Sequence, residues 1–168
     1  MLKRTRNLAA AVLLAIVAVT ITAAPSTAAT LTPRAALLDR INQVRANHDL
    51  RPVYPASALH LAAKRHSRDM VARDYFAHTS PTGSTLASRI VGSGFVSGFA
   101  WAGGETLAWG SGSLGTPDAI VSAWMHSPEH RAILLSPKWH WVGISRAAGT
   151  FCGVAGARVW TADWVERW

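Results

Sequence analysis

A switch of hydrophobic period near Pro137 limits the folds open to this chain more than any other feature of its sequence. Upstream, Leu37, Leu38, Ile41 and Val44 recur with helical spacing, and Leu59, Ala63, His66 and Met70 fall on one stripe of a second helix. Ile120, Val121, Trp124 and Met125 form the apolar face of a later helix, and Glu129 to Leu135 reads as a further short one. Downstream the period shortens. Trp139 to Arg146 and Phe151 to Val165 read as strands, with Val142, Ile144, Val154, Val159, Trp160 and Trp164 fitting a sheet packed on both faces. Helices first and strands last predict an α+β domain with an antiparallel sheet between helical layers.

Local signals place the boundaries. Pro33 suits a first helical turn, and Asn47-His48-Asp49 with Pro52 ends that helix. The second helix starts near Ala56-Ser57 and stops near Asp74. Thr85 to Val91 supplies one or two helical turns before Gly92, Gly94 and Gly98 loosen the chain. Thr116-Pro117-Asp118 is a helix start, with Thr116 as cap, and Pro128 ends or kinks that helix. Ala147 to Thr150 reads as a turn between strands.

The first residues decide the compartment. Lys3, Arg4 and Arg6 precede an apolar run from Leu8 to Ala24, and small residues follow at Pro25 to Ala29. That is the order of a secretory signal peptide, so Met1–Ala29 is expected to be removed and residues 30–168 to form one domain. An uncleaved N-terminal anchor is the alternative. Elsewhere no segment is apolar enough to span a bilayer. Loss of the leader takes three basic and no acidic residues, lowering the formal charge from +8 to +5. Such a surplus favours anionic surfaces, such as cell-wall polymers or lipid headgroups, by long-range attraction. Lys64, Arg65, Arg68 and Arg73 read as the wet face of a helix, so no nucleic-acid partner is expected, and the chain is expected to be a monomer. Cys152 stands alone, which excludes an internal disulfide and leaves stability to the core; a buried place in a strand is its expected setting.

The polar residues worth attention cluster in three places. Trp124 to Arg131 crowds His126, Glu129, His130 and Arg131 around a Ser-Pro break. His78 follows the aromatic pair Tyr75-Phe76 in a loop shaped by Ser80-Pro81 and Thr82-Gly83. Glu105 is the only acidic residue between Asp74 and Asp118, set among glycines and an apolar Leu-Ala-Trp run. A carboxylate in such surroundings must be hydrogen-bonded, paired or metal-bound to stay ionised. His66, on an apolar helical stripe, reads more simply as a satisfied core residue.

Four segments then fall in order: Phe76-Ala77-His78-Thr79-Ser80-Pro81, Gly104-Glu105-Thr106-Leu107-Ala108, the Trp124-Met125-x-Ser127-Pro128-x-His130-Arg131 stretch, and Val142-Gly143-Ile144. Together, from about Ala35 to Trp164, they resemble the bacterial branch of the CAP superfamily, the SCP-like extracellular domains related to cysteine-rich secretory and pathogenesis-related proteins. The resemblance implies a three-layer α-β-α sandwich with a mainly antiparallel central sheet. It also implies a cleft lined by two His and two acidic residues, which in some relatives holds a divalent cation, usually zinc. By position, His78 matches the first histidine, Glu105 the first glutamate and His130 the second histidine. The second glutamate has no match: Ser127 stands where many eukaryotic relatives carry it, and Glu129 and His126 are the nearest substitutes.

Three functions are compatible with that pattern. His78, Glu105 and His130 could bind Zn2+ or another divalent cation, whose bound water would hydrolyse an ester or amide with Glu129 as proton carrier. Alternatively the chain is a secreted binding module for a lipid, cell-wall component or other extracellular ligand, a role that family members linked to sterols and lipids also suggest. Trp101, Trp109, Trp124, Trp139 and Trp141 would then supply an apolar groove. A surface interaction protein, in which the polar cluster only holds loops together, is the third.

Overall fold

The computed structural model describes residues 31–168, so the expected signal peptide, Met1–Ala29, lies outside the described residues. Helix α1 (Pro33–Ala46) starts where Thr32 accepts a hydrogen bond from the Ala35 amide and Pro33 occupies the first turn. Helix α2 (Ser57–Arg73) ends with Asp74 in the left-handed region at φ 51°. Between them Tyr54–Pro55 forms β1, a two-residue strand parallel to β3 that the sequence pattern does not reveal. A short α3 (Leu86–Gly92) opens on a reciprocal cap between Thr85 and Ser88.

Next comes β2 (Trp101–Gly110), ten residues long and not anticipated from sequence. Its three glycines depress strand propensity, yet every residue pairs with β4, from Trp101 opposite Arg167 to Gly110 opposite Arg158. A 3-10 turn then leads to α4 (Pro117–His126), capped by Thr116 as its sequence indicates. Ser127 is extended ahead of Pro128, and α5 (Pro128–Leu134) comes after the break. Strand β3 (Trp141–Phe151) runs through the expected turn at Ala147 to Thr150, and the reversal instead lies at Cys152-Gly153 before β4 (Val154–Arg167). The sheet order is β1-β3-β4-β2, antiparallel except at β1.

Alternation along β4 sorts the two faces. Trp160, Ala162 and Trp164 join Val142 and Ile144 in a core closed by Leu37 and Ile41 of α1 and by Ile120, Val121 and Trp124 of α4. Val159 and Val165 point the other way, towards α2, where Leu59 and Met70 cover them in two smaller clusters. The result is the expected α-β-α sandwich. On the α2 side the contact is close enough that a Cβ on Gly143 would stand 2.2 Å from the Leu59 carbonyl carbon. Arg45, with no exposed surface, ties the layers together by donating to the carbonyls of Arg51, Leu134 and Ser136.

Candidate functional site

The α2-facing side of the sheet is where polarity enters the core. Ser145, Thr161, Asp163 and Glu105 are all buried there, with Glu105 directly opposite Asp163 on the β2–β4 ladder and Gly143 opposite Asp163 on the other side. Helix α2 contributes buried His66 and Ser67, the latter bonded to the Ser145 hydroxyl at 3.0 Å. Residues of one strand face are two apart, so placing Glu105 and Asp163 on this face follows from the register that also puts Leu107 and Val159 there.

Glu105 is the hub. One carboxylate oxygen, Oε1, lies 2.7 Å from His78 Nδ1, and the other, Oε2, accepts from the Arg89 guanidinium at 2.7 Å. His66 Nε2 stands 3.8 Å from Oε2, beyond hydrogen-bond reach, and has no partner among the described residues. Arg89 also donates to the Ser84 and His78 carbonyls, so a single side chain of α3 fixes both the loop carrying His78 and the acid that holds its ring. Within that loop Ser80 Oγ accepts from the Ser84 amide and pairs with Thr82, turning away from any role beside His78.

These contacts set the charges. Burial raises the Glu105 pKa, but the His78 bond and the Arg89 cation outweigh it and hold the carboxyl below its ordinary value. His78 is pushed up, first by its bond to Glu105, against an opposing contribution from burial. His66 is pushed down, mainly by burial. Asp163 is driven well above the ordinary carboxylate range by complete burial and by the Glu105 charge facing it. Glu105 is therefore the ionised member of the buried pair and Asp163 the protonated one.

The remaining sequence candidates surround His78. His130, half-buried on α5, is close enough that the His78 charge lowers its pKa, though burial is the larger cause. Exposed Glu129 acts on both imidazoles in the opposite sense. His126 is exposed and bonds the Ser122 carbonyl at 2.8 Å, in agreement with a solvent-side position. Among the described residues no three His, Cys, Asp or Glu side chains are grouped so as to hold a metal ion.

Other expectations need correcting. Trp124 and Trp139 are core residues, donating through Nε1 to the Leu107 and Ile133 carbonyls, so they cannot line an open groove. Trp101, Trp109 and Trp141 are only partly buried. Cys152 is exposed at φ 48°, not buried in a strand, because the chain reverses there. Arg89 and Asp163 escape the sequence reading altogether. A signal existed for each: Arg89 is the only Lys or Arg between Arg73 and Arg131, and Asp163 stands alone among the apolar residues Ala162, Trp164 and Val165.

Comparison with known proteins agrees with this architecture. The chain is 28% identical over 148 residues to the uncharacterized protein YkwD of Bacillus subtilis, an alignment covering 88% of this chain and 52% of YkwD. It thus spans about half the length of that curated relative. An extracellular protein containing a SCP domain from Bacillus anthracis superposes with a TM-score of 0.64 at 27% identity, over 77% of this chain and 39% of that one. An outer surface protein from Borrelia burgdorferi shares the fold with a TM-score of 0.65 at 21% identity, over 79% of this chain and 90% of that one. Among the described residues no helix is long and apolar enough to cross a membrane. Residues 38–163, carrying every element from α1 to the buried acid of β4, match the CAP, cysteine-rich secretory protein family, and the chain belongs to it.

Proposed function

We propose that the domain is an extracellular binding module in which His78, with His130 and Glu129 beside it, forms the polar contact surface for an anionic cell-wall component. The observation that carries this reading is the double engagement of Glu105. Both of its oxygens are taken, by Arg89 and by His78, and its side chain is 1% exposed. A ligand set of His78, Glu105 and His130 needs a free Glu105 oxygen, so this arrangement does not fit it. Glu105 instead orients the ring: Nδ1 is bound to the acid, and the imidazole, its side chain 58% exposed, keeps Nε2 for a ligand.

The raised pKa makes His78 a cation in mildly acidic medium, where it attracts phosphate or carboxylate groups. Co-sedimentation with purified anionic cell-wall polymer at pH 6 and pH 8 tests this. Binding should be stronger at pH 6, and His78→Ala should remove the difference between the two. Equal binding by the wild type and His78→Ala at both values rules the reading out.

The same pair favours a second reading, a metal-free hydrolase. A carboxylate behind an imidazole is the arrangement of a general base. Neutral His78 would take a proton from water at Nε2 as the water oxygen adds to an ester carbonyl. Hydrolysis of p-nitrophenyl acetate above the uncatalysed rate, abolished in His78→Ala, is the expected result. Equal rates for both proteins end this reading.

A further inference from the structure

Far along α2 from Arg73, at the N-terminal ends of α1 and α2, the structure holds a second feature that shares no residue with the His78 site. A cavity of about 230 Å³ lies between α1, α2 and the β1–β3 edge, walled by Leu38, Pro55, Ala56, Val142 and Ile144. It is apolar except where Arg34 and His60 border it. Those two residues also line a neighbouring cleft of about 320 Å³, whose other walls include Lys64, Arg68 and Arg146. His60 is fixed at the junction by a 2.6 Å bond between its Nδ1 and the Ile144 carbonyl.

Charge makes the second space unusual. Arg34, Lys64, Arg68 and Arg146 converge on it, no acidic residue lines it, and none of the four is in an ion pair among the described residues. Elsewhere in the chain cations are partnered: Arg40 with Asp118, Arg51 with Glu166, Arg73 with Asp69 and Arg89 with Glu105. Four like charges held together repel, and the first turn of α1, at Pro33 and Arg34, adds its positive dipole end to them. An anion relieves that repulsion. A free inorganic anion, however, would make no use of the apolar cavity that opens from the same two residues.

We propose that the two spaces together bind an amphiphilic anion, with a short apolar chain in the cavity and a phosphate or carboxylate head on Arg34, Lys64, Arg68 and Arg146. The cavity is at the small end of ligand sites, which favours a chain of modest length. Burial of that chain supplies affinity, and the arginines supply selectivity for an acidic head.

Calorimetric titration of the purified chain with octyl phosphate, octanoate, octyl glucoside and inorganic phosphate separates the contributions. Octyl phosphate and octanoate should each bind at least about tenfold more tightly than either control, since tenfold is about 1.4 kcal/mol. The Arg34→Ala/Lys64→Ala variant should lose about tenfold towards octyl phosphate, and raised salt should weaken the wild-type interaction. Filling the cavity with Ala35→Leu should weaken both octyl probes and leave inorganic phosphate unaffected. His78→Ala should change none of these values, which keeps this result independent of the cell-wall reading. Equal binding of octyl glucoside and octyl phosphate would falsify the proposal, as would inorganic phosphate binding as tightly as octyl phosphate. Wild-type affinity in both the double and the cavity variant would do the same.

Discussion

Glu105 and Asp163 face each other across the β2–β4 ladder with relative exposures of 4% and 0%, and they sit on the side of the sheet covered by α2. Two carboxyls so placed titrate as a pair rather than singly. Arg89 and His78 both contact Glu105 and neither hydrogen-bonds Asp163, so the negative charge settles on Glu105 and the proton on Asp163. The charge on this hub is decided by which acid the loop and α3 can reach.

Asp163 therefore imposes a pH slope. Its folded pKa is raised well above the ordinary 3.8, so the unfolded chain releases this proton first. Stability contributed by the neutral acid is present below the unfolded value and declines as pH rises from there towards the folded one. Asp163→Asn removes the slope. Thermal melts from pH 4 to pH 8 should show the variant gaining on the wild type as pH increases.

Arg89→Ala leaves the Glu105 carboxylate buried without its cation. Loss of one partner of a buried pair costs about 3–5 kcal/mol, and urea unfolding at pH 7 should register that loss. Combining it with Glu105→Gln removes the stranded charge, so the double variant should be more stable than Arg89→Ala alone.

His78 contributes a pH dependence of its own. Its folded pKa lies above the ordinary 6.5, so its stabilisation is complete below about that pH and is lost as pH rises through the folded value. The bond is charge-assisted, but the ring is more than half exposed and screened by solvent, so about 1 kcal/mol is expected. His78→Ala should cost that amount at pH 5.5 and distinctly less at pH 9, measured by chemical denaturation at each pH.

Gly143 is required by the packing of α2 on β3. In Gly143→Ala the new methyl meets the Leu59 main chain at 2.2 to 2.4 Å, and a helix backbone cannot yield as a side chain can. A loss of about 3 kcal/mol is expected, read from the urea midpoint.

Cys152 occupies a left-handed position at φ 48° in the β3–β4 turn, with its amide bonded to Asp74 Oδ1 at 2.5 Å. Cys152→Gly keeps that amide and removes the Cβ strain, so stability should rise by about 1 kcal/mol under reducing conditions.

The parts of the fold legible in sequence rest on local physics. The helical stripes of α1 and α2, the Thr116-Pro117 start of α4 and the Pro128 break depend on residues a few positions apart, and each lies where its pattern places it. Strand β2 was illegible because Gly103 and Gly104 weaken its local signal and its ladder partners lie more than 50 residues on, at Trp164 and Val165. His78 and Glu105 stood out by chemical isolation. Arg89 was as isolated among basic residues, but an arginine on a short helix is usually solvated, and nothing nearby in sequence says otherwise.

By itself the sequence determined the α+β class, the order of the helices, the absence of disulfides and the candidacy of His78, Glu105 and His130. Only the tertiary structure decided how those candidates are used. It laid α3 against β2 and brought Arg89 onto Glu105. It also set Asp163 opposite the same acid and gathered Arg34, Lys64, Arg68 and Arg146 around one cleft. Periodicity reports which side of an element is buried, whereas ionisation depends on distances of a few ångströms between elements remote in the chain. The hub at Glu105 belongs to that second kind of fact: a lone acid in the sequence, an oriented and charged carboxylate only once three other segments close around it.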